Sequence, residues 1–341
     1  MRTVNDTEDR GAVLVLVGML MTALLGIGAL VVDLGALYVE KRQLQNGADA
    51  AALAVAQDCA NGNCVLTPGL AQQYADSNAK DGTSSVVVCG VGPGLTACTA
   101  PAPVGASGAS GWLRANTVTR TPLGGNEVDF VLGPVMDSLA GATVHASATA
   151  AWGPLGAGDV LPITFSVCEW SAMGGSIANG TFPAGATYIY LHGVGAKNEP
   201  GVGHCTASPS GQDLPGGFGF LDSNSCVTTV AAAAWVAVEP GNSLPKGCNP
   251  NAWLNTEVLI AMYDVERGSG RNGEYHVAGF VGFRITGYQF QGNKHGPGNF
   301  DCPLAKGNSV TCLLGTFTRY TTDAHAFGGS DYGARVVKMV G

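Results

Sequence analysis

The chain has 341 residues, of which 46% are hydrophobic and only 12% are charged, so its composition excludes an intrinsically disordered protein. Its formal charge of −8 provides no basic field to neutralise phosphates, so no nucleic-acid partner is expected. The 51 glycines favour strands, tight turns and loops over a helical bundle.

The first predicted element is a membrane-spanning helix at residues 12–32, a stretch that carries no charge. At about 1.5 Å per residue it reaches about 31 Å, which matches the hydrocarbon core of a bilayer. A secretory signal peptide has a shorter apolar region. We therefore expect a tail at residues 1–11, a transmembrane helix at residues 12–32 and a lipid bilayer as partner.

The cysteines indicate which side of the membrane holds the bulk of the chain. Basic residues are balanced, with Arg2 and Arg10 before the predicted span and Lys41 and Arg42 after it. All ten cysteines follow the span, and an even number in a glycine-rich chain favours disulfides formed outside the cytosol. We expect a single-pass membrane protein with its N-terminus in the cytoplasm and its bulk extracytoplasmic.

The helix is predicted to continue beyond the membrane, because no turn signal interrupts residues 33–57. A slim apolar stripe follows the helical period along this segment. Its small residues would let another backbone or a sheet approach closely. The stripe consists of Leu37, Leu44, Ala48, Ala51, Ala52 and Val55. Two interpretations are open from periodicity alone: a pilin-like helix packed on a head, or a signal anchor with a rigid stalk.

Residues 10–57 carry a more specific signal. Arg10-Gly11 before the span, Asp33-Leu34-Gly35 at its exit, Tyr38 and the run RQLQNGADAAALA resemble the N-terminal segment of the TadE/TadG-like Flp (tight adherence) pilus-assembly family. The resemblance implies a non-enzymatic component of the bacterial cytoplasmic membrane. It also implies pilins or Tad secretion and assembly proteins as partners, and self-association through the N-terminal helix.

Four later segments resemble the extracytoplasmic part of actinobacterial-type members of that family. They are LPITFSVCEW (161–170), GGFGFLDSNSC (216–226), GNSLPKGC (241–248) and EYHVAGFVGFRITGY (274–288). The von Willebrand metal site of some TadG proteins is not carried over, because the string that begins at Asp222 fails its spacing.

Two features of the stem concern processing and pairing. Prepilins of this group are cut at a Gly or Ala and have Glu at the fifth mature position, whereas cleavage between Gly11 and Ala12 would place Leu16 there. An anchored assembly protein is therefore favoured over the alternative of a minor pilin or pseudopilin in the filament. Asp33 either pairs with a cation of another subunit at the membrane boundary or reaches water and Lys41.

The rest of the chain is predicted to be α+β and then mostly β. Residues 33–153 are expected to form a pilin-like segment, with strands at 112–122 and 143–153, a short helix within 126–141 and a linker at 153–159. Residues 154–341 are expected to form an antiparallel β domain, with strands at 163–170, 187–195, 256–266, 274–290 and 315–322.

Disulfides are expected to stabilise this region. Cys59 with Cys64, Cys89 with Cys98 and Cys302 with Cys312 are close enough in sequence to close small loops. The remaining four allow three connectivities, and they are Cys168, Cys205, Cys226 and Cys248.

No catalytic residue, metal site or cofactor is predicted. The string GSGRNG (268–273) matches a dinucleotide fingerprint, but a predicted strand follows it, so a hairpin loop is expected. The six histidines show no metal-ligand spacing. An anchored surface adhesin or enzyme that borrowed the stem is the remaining alternative.

Overall fold

The structure is a computed structural model, and it describes residues 8–64, 68–130, 140–178, 180–192, 219–239, 244–245, 247–268, 270–298, 300–303, 310–323 and 325–341. The chain divides into two compact units. The first comprises Met1–Val55, Leu66–Thr99 and Leu113–Ala150, and the second comprises Ala56–Val65, Ala100–Trp112 and Ala151–Gly341.

The first unit is built around one long helix. Its elements are α1 (Glu8–Ala60), α2 (Pro68–Ser77), β1 (Ser84–Val91), β2 (Gly111–Thr119), β3 (Val128–Asp129), β4 (Gly141–Ala142) and β5 (His145–Pro154). Strands β1, β2 and β5 are neighbours in that order, and β3 pairs with β4 in an antiparallel ladder. The last residues of α1 and the ends of β2 and β5 fall in the second unit.

Small residues bring α1 close to this sheet. Ala115 and Thr117 of β2 are buried, as are Ala146 and Ala148 of β5. The Thr117 hydroxyl donates to the carbonyl of Leu44 over 2.9 Å, which places the helix backbone directly against the strand. Such an approach requires small side chains on both surfaces, and alanines supply most of them.

Side chains of α2 cover the outer edge of β1, which is the end strand of its sheet. The Gln72 amide donates to the Ser84 carbonyl over 2.7 Å and accepts from the Val86 N–H, while Asp76 accepts from the Ser84 N–H over 2.8 Å. These bonds occupy backbone groups that would otherwise offer a template for another strand.

The second unit contains the larger sheet. Its elements in chain order are β6 (Ala157–Val160), β7 (Thr164–Ser166), α3 (Val167–Ala172), β8 (Thr187–His192), β9 (Thr228–Ala231), β10 (Trp235–Ala237), β11 (Glu257–Arg267), β12 (Glu274–Phe290), β13 (Asn293–His295), β14 (Thr311–Thr318), β15 (Tyr320–Thr322) and β16 (Ala334–Met339). Short 3₁₀ turns lie at Pro250–Trp253 and Gly270–Asn272.

The large sheet has the order β7-β11-β12-β14-β8, and β10 and β13 pair with β12. All of these pairings are antiparallel except that of β7 with β11. Strand β12 is central, because its early residues lie between β10 and β11 and its later residues lie between β11 and β14. Its side chains supply Val281, Phe283, Ile285 and Tyr288 to the main core. Strands β15 and β16 pair in parallel, and β6 pairs with β9.

The predicted class, a long N-terminal apolar helix followed by a mostly antiparallel β region, is confirmed. The strands predicted at 112–122, 143–153, 256–266 and 274–290 are present as β2, β5, β11 and β12. The prediction for 187–195 is met by β8 as far as His192, and residues 193–195 lie outside the described residues. The 268–273 string lies between the paired strands β11 and β12, with Ser269 outside the described residues.

Three local predictions were wrong. Residues 153–159 are not a linker, because β5 extends to Pro154 and β6 begins at Ala157. The strand predicted at 163–170 ends at Ser166, where a reciprocal Ser166–Glu169 capping box starts α3. Within 126–141, Val128–Asp129 forms a strand rather than a helix, and residues 131–139 lie outside the described residues.

Candidate functional site

The N-terminal part of α1 exposes an apolar surface. Except for Leu37, the bulky apolar side chains from Val13 to Val39 are about half to three-quarters exposed, including Leu14 at 75% and Leu25 at 69%. The helix is long and apolar enough to cross a membrane, with a mean hydropathy of 2.5 over its most apolar window. Exposing an apolar surface of this length to water is energetically unfavourable, so a lipid or protein environment must cover it.

The C-terminal part of the same helix, from Leu44 to Val55, is buried within the first unit. Leu44, Ala48, Ala51, Ala52 and Val55 are each at most 3% exposed. Leu37, the first member of the predicted stripe, is half-buried. The change from exposed to buried occurs without a break in the helix, because α1 is continuous from Glu8 to Ala60.

Polar side chains of α1 bond to the head on either side of this stripe. The Lys41 ammonium donates to the His145 carbonyl, and the Gln45 amide donates to the Ser147 carbonyl over 3.1 Å. The Gln43 carbonyl oxygen accepts from the Lys80 N–H over 2.9 Å. These bonds fix the rotation of the helix on the sheet, and they explain why a lysine interrupts the apolar pattern.

The junction between the two parts of α1 carries the remaining charged groups of the stem. Asp33 is half-buried and has a partner in the structure. The Arg42 guanidinium lies 5.2 Å from the centroid of the Tyr38 ring. Burial raises the pKa of the Glu40 carboxyl above its ordinary value; a hydrogen bond with Thr119 opposes this shift and the Asp81 carboxylate reinforces it.

The C-terminal end of α1 is held by an arginine of β16. Arg335 donates to the carbonyls of Cys59 and Ala60, and it is held by Asp331, whose Oδ2 lies 2.6 Å from the Arg335 Nη2. The last carbonyls of a helix lack partners within it and carry the negative end of its dipole. A guanidinium here therefore satisfies hydrogen bonds and compensates charge. Sequence reasoning missed this contact, because 275 residues separate Arg335 from Ala60.

Four disulfides join described cysteines: Cys59–Cys64, Cys89–Cys98, Cys226–Cys248 and Cys302–Cys312. Cys168 is also disulfide-bonded, and Cys205 lies outside the described residues. The Cys59–Cys64 bridge closes the turn that ends α1. Gly11 and Ala12 lie in the helical backbone of α1, and their side chains are outside the described set.

These features define a class: a chain with one N-terminal helix fit to cross a membrane, joined to a disulfide-bonded α+β region. Within that class, residues 11–58 match the family model described as Tad, putative Flp pilus-assembly TadE/G-like. The resemblance identified from residues 10–57 is thereby confirmed, and the match links the chain to Flp pilus assembly. The matched region is α1, with its exposed and buried parts. Neither the curated proteins nor the solved structures provide a match.

Proposed function

We propose that the chain is a non-enzymatic, membrane-anchored component of Flp/Tad pilus assembly that presents its disulfide-stabilised β region to pilins or assembly partners. The observation that carries the proposal is the continuity of α1, which exposes an apolar surface over residues 13–39 and is buried from Leu44 onward. One rigid element thus enters lipid and supports a folded head.

The proposed arrangement is a cytoplasmic tail at residues 1–11, a transmembrane helix at 12–32, a pilin-like segment at 33–153 and an extracytoplasmic β domain at 154–341. The position of every cysteine after residue 58 supports this orientation, since disulfides form outside the cytosol.

Permanent anchoring is favoured over entry into the filament. No acidic residue lies between Arg10 and Asp33, so a mature chain beginning at Ala12 would have no acid near its positive N-terminus. An unpaired charge in lipid is costly, and packing of such a terminus among neighbouring subunits would be opposed.

The test is the intact mass and N-terminal residue of the protein extracted from membranes, combined with its absence from sheared, purified pili. A chain that retains residues before Gly11 and stays in the membrane fraction agrees with the proposal. A chain that begins at Ala12 and copurifies with pili would make it a minor pilin instead.

Deletion in the source bacterium should abolish or sharply reduce surface pili. Complementation with the full chain should restore them. A matched chain in which polyleucine replaces residues 12–32 keeps an apolar anchor but loses the native sequence of the stem, so it separates anchoring from specific recognition by the stem. Normal piliation after deletion would refute a role in assembly.

A further inference from the structure

One tryptophan of the second unit is exposed. Trp112, Trp152, Trp170 and Trp253 are between 2% and 8% exposed, whereas Trp235 is 37% exposed. Trp235 lies in β10, which pairs with the beginning of β12. Among the described residues of the second unit it is the one exposed aromatic side chain, and the other exposed bulky apolar side chains there are Val104, Ile177, Val227 and Met339.

The side chains around Trp235 come from three adjacent strands. His276 of β12 is directly opposite Trp235 in β10 and opposite Val265 in β11. Asp264 lies at a shift in the register of β11, between Tyr263 and Val265, and has no cross-strand partner there. A bulge of this kind redirects a side chain, and it brings Asp264 Oδ1 to 2.6 Å from His276 Nδ1.

An ion pair between Arg267 and Glu274 completes the cluster. Arg267 Nε donates to Glu274 Oε2 over 2.7 Å, and the Arg267 guanidinium carbon lies 4.0 Å from the centroid of the Trp235 ring. The His276 ring is 5.3 Å from the Trp235 ring and inclined to it by 56°, so it does not stack flat against the indole. The salt bridge and the cation–π contact restrict the Arg267 side chain before any ligand arrives.

Several polar atoms of this cluster are available to a ligand. Within the described residues, the Arg267 Nη groups, the Trp235 Nε1–H and the second carboxylate oxygens of Asp264 and Glu274 have no hydrogen-bond partner. Donors and acceptors therefore both lie around an exposed aromatic ring. Each carboxylate of the cluster already has a partner, Glu274 in Arg267 and Asp264 in His276, so neither carboxylate is unpaired.

We infer that the Trp235 cluster is a binding site for a neutral saccharide. A pyranose presents C–H groups on a face that can lie against an indole, and its hydroxyls both donate and accept hydrogen bonds, which suits the mixed donors and acceptors around Trp235. A protein interface normally has several apolar residues at its centre, and this patch has one.

Binding is tested on the full chain in lipid nanodiscs at neutral pH. Hexasaccharides of glucose, N-acetylglucosamine, mannose and xylose are the probes, measured by titration calorimetry and by saturation-transfer NMR. At least one probe should bind saturably. Trp235→Ala and Arg267→Met should each weaken it by about tenfold or more, the effect of losing one stacking or bidentate contact.

Two variants separate binding from folding. Trp235→Phe retains an aromatic face and should stay within about threefold of the native affinity. Arg284→Met is the matched control for Arg267→Met, because Arg284 is an exposed arginine of the neighbouring strand β12 and lies outside the cluster. Thermal unfolding of every variant verifies that it folds.

The inference is overturned if none of the four probes binds at millimolar concentration, or if Trp235→Ala and Arg284→Met bind equally well. It is also overturned if Trp235→Ala changes the oligomeric state of the chain while no saccharide binds, since the patch would then be a protein interface.

Discussion

Replacing two leucines at the middle of the predicted span by arginine, Leu20→Arg with Leu24→Arg, should prevent membrane insertion, whereas either change alone should not. Both side chains are exposed on α1, at 54% and 65%, so neither contributes to the packed core. The double variant therefore tests the membrane role of the helix without disturbing the head.

The magnitude follows from the composition of residues 12–32, which contain five valines, six leucines and one isoleucine. At about −0.3 to −0.6 kcal/mol each for central positions, these twelve residues favour insertion by at most about 4–7 kcal/mol. One leucine-to-arginine change costs about 3–4 kcal/mol, and two cost about 6–8 kcal/mol. A single change leaves insertion close to balance or favourable, and the double change cancels all or nearly all of the total.

The assay is carbonate extraction of membranes with thiol alkylation of the same fractions. The native chain and each single variant should remain in the pellet with protected cysteines, because the proposed topology places their heads in an oxidising compartment. The double variant should be released with alkylatable thiols. A control with Leu20→Ala and Leu24→Ala keeps the span apolar and should insert. Stable insertion of the double-arginine variant with intact disulfides would refute the assignment of this helix as the anchor.

Four further perturbations test the head. Arg335→Met should lower the free energy of unfolding by about 2 kcal/mol, because it leaves the Ala60 carbonyl and Asp331 without their cation. Chemical denaturation of this variant and of the control Arg284→Met checks the prediction, and equal denaturation midpoints would show that the Arg335 contacts do not stabilise the fold. Gly175→Ala should lower the free energy of unfolding by about 1–3 kcal/mol, since its Cβ would lie 2.3 Å from the Trp170 ring. The control Gly69→Ala in α2 meets nothing within 4 Å and should not destabilise the fold. Calorimetry compares the melting temperatures of the two variants, and equal values would refute the packing argument. Gln72→Ala should promote self-association by freeing the edge of β1, which light scattering would detect, and a fully monodisperse variant would show that other groups protect that edge. The raised pKa of Glu40 means that the folded state holds its proton more tightly than the unfolded state does, so this group favours folding below its ordinary pKa and loses that contribution as the pH rises through the raised value. Glu40→Gln should therefore be more stable than the native chain at neutral pH and equal to it in acid. Exposed Glu127→Gln is the control, and a stability difference that does not change with pH would contradict the argument.

The elements that sequence could predict are those whose signal is local and periodic. Helix α1 has an uninterrupted apolar run and then a regular stripe, and β12 is a long run of strand-forming residues that is buried on both faces in its middle part. The beginning of α3 was also visible, because Ser166 and Glu169 form the spacing of a capping box, but the apolar run around them was assigned to a strand.

Other features depend on partners distant in sequence and could not be predicted. The sequence of α2 contains few bulky apolar residues, and its role becomes visible only where Gln72 and Asp76 meet the edge of β1. Lys41 interrupts the apolar stripe of α1 in the sequence, and only its hydrogen bond to the distant His145 carbonyl explains its presence. The Trp235 cluster likewise combines residues of three strands, and a bulge that no local pattern announces directs Asp264 toward His276.

The uninterrupted backbone of α1 has a mechanical consequence. A helix is stiff over this length, and α1 has no proline or broken turn between its exposed apolar residues and the part that lies on β2. A tilt or axial rotation of the exposed part is thus delivered to the Leu44–Thr117 contact as a torque, rather than being absorbed by a joint. With the proposed anchor in a bilayer, a force applied to the anchor would reach the sheet on which the helix rests.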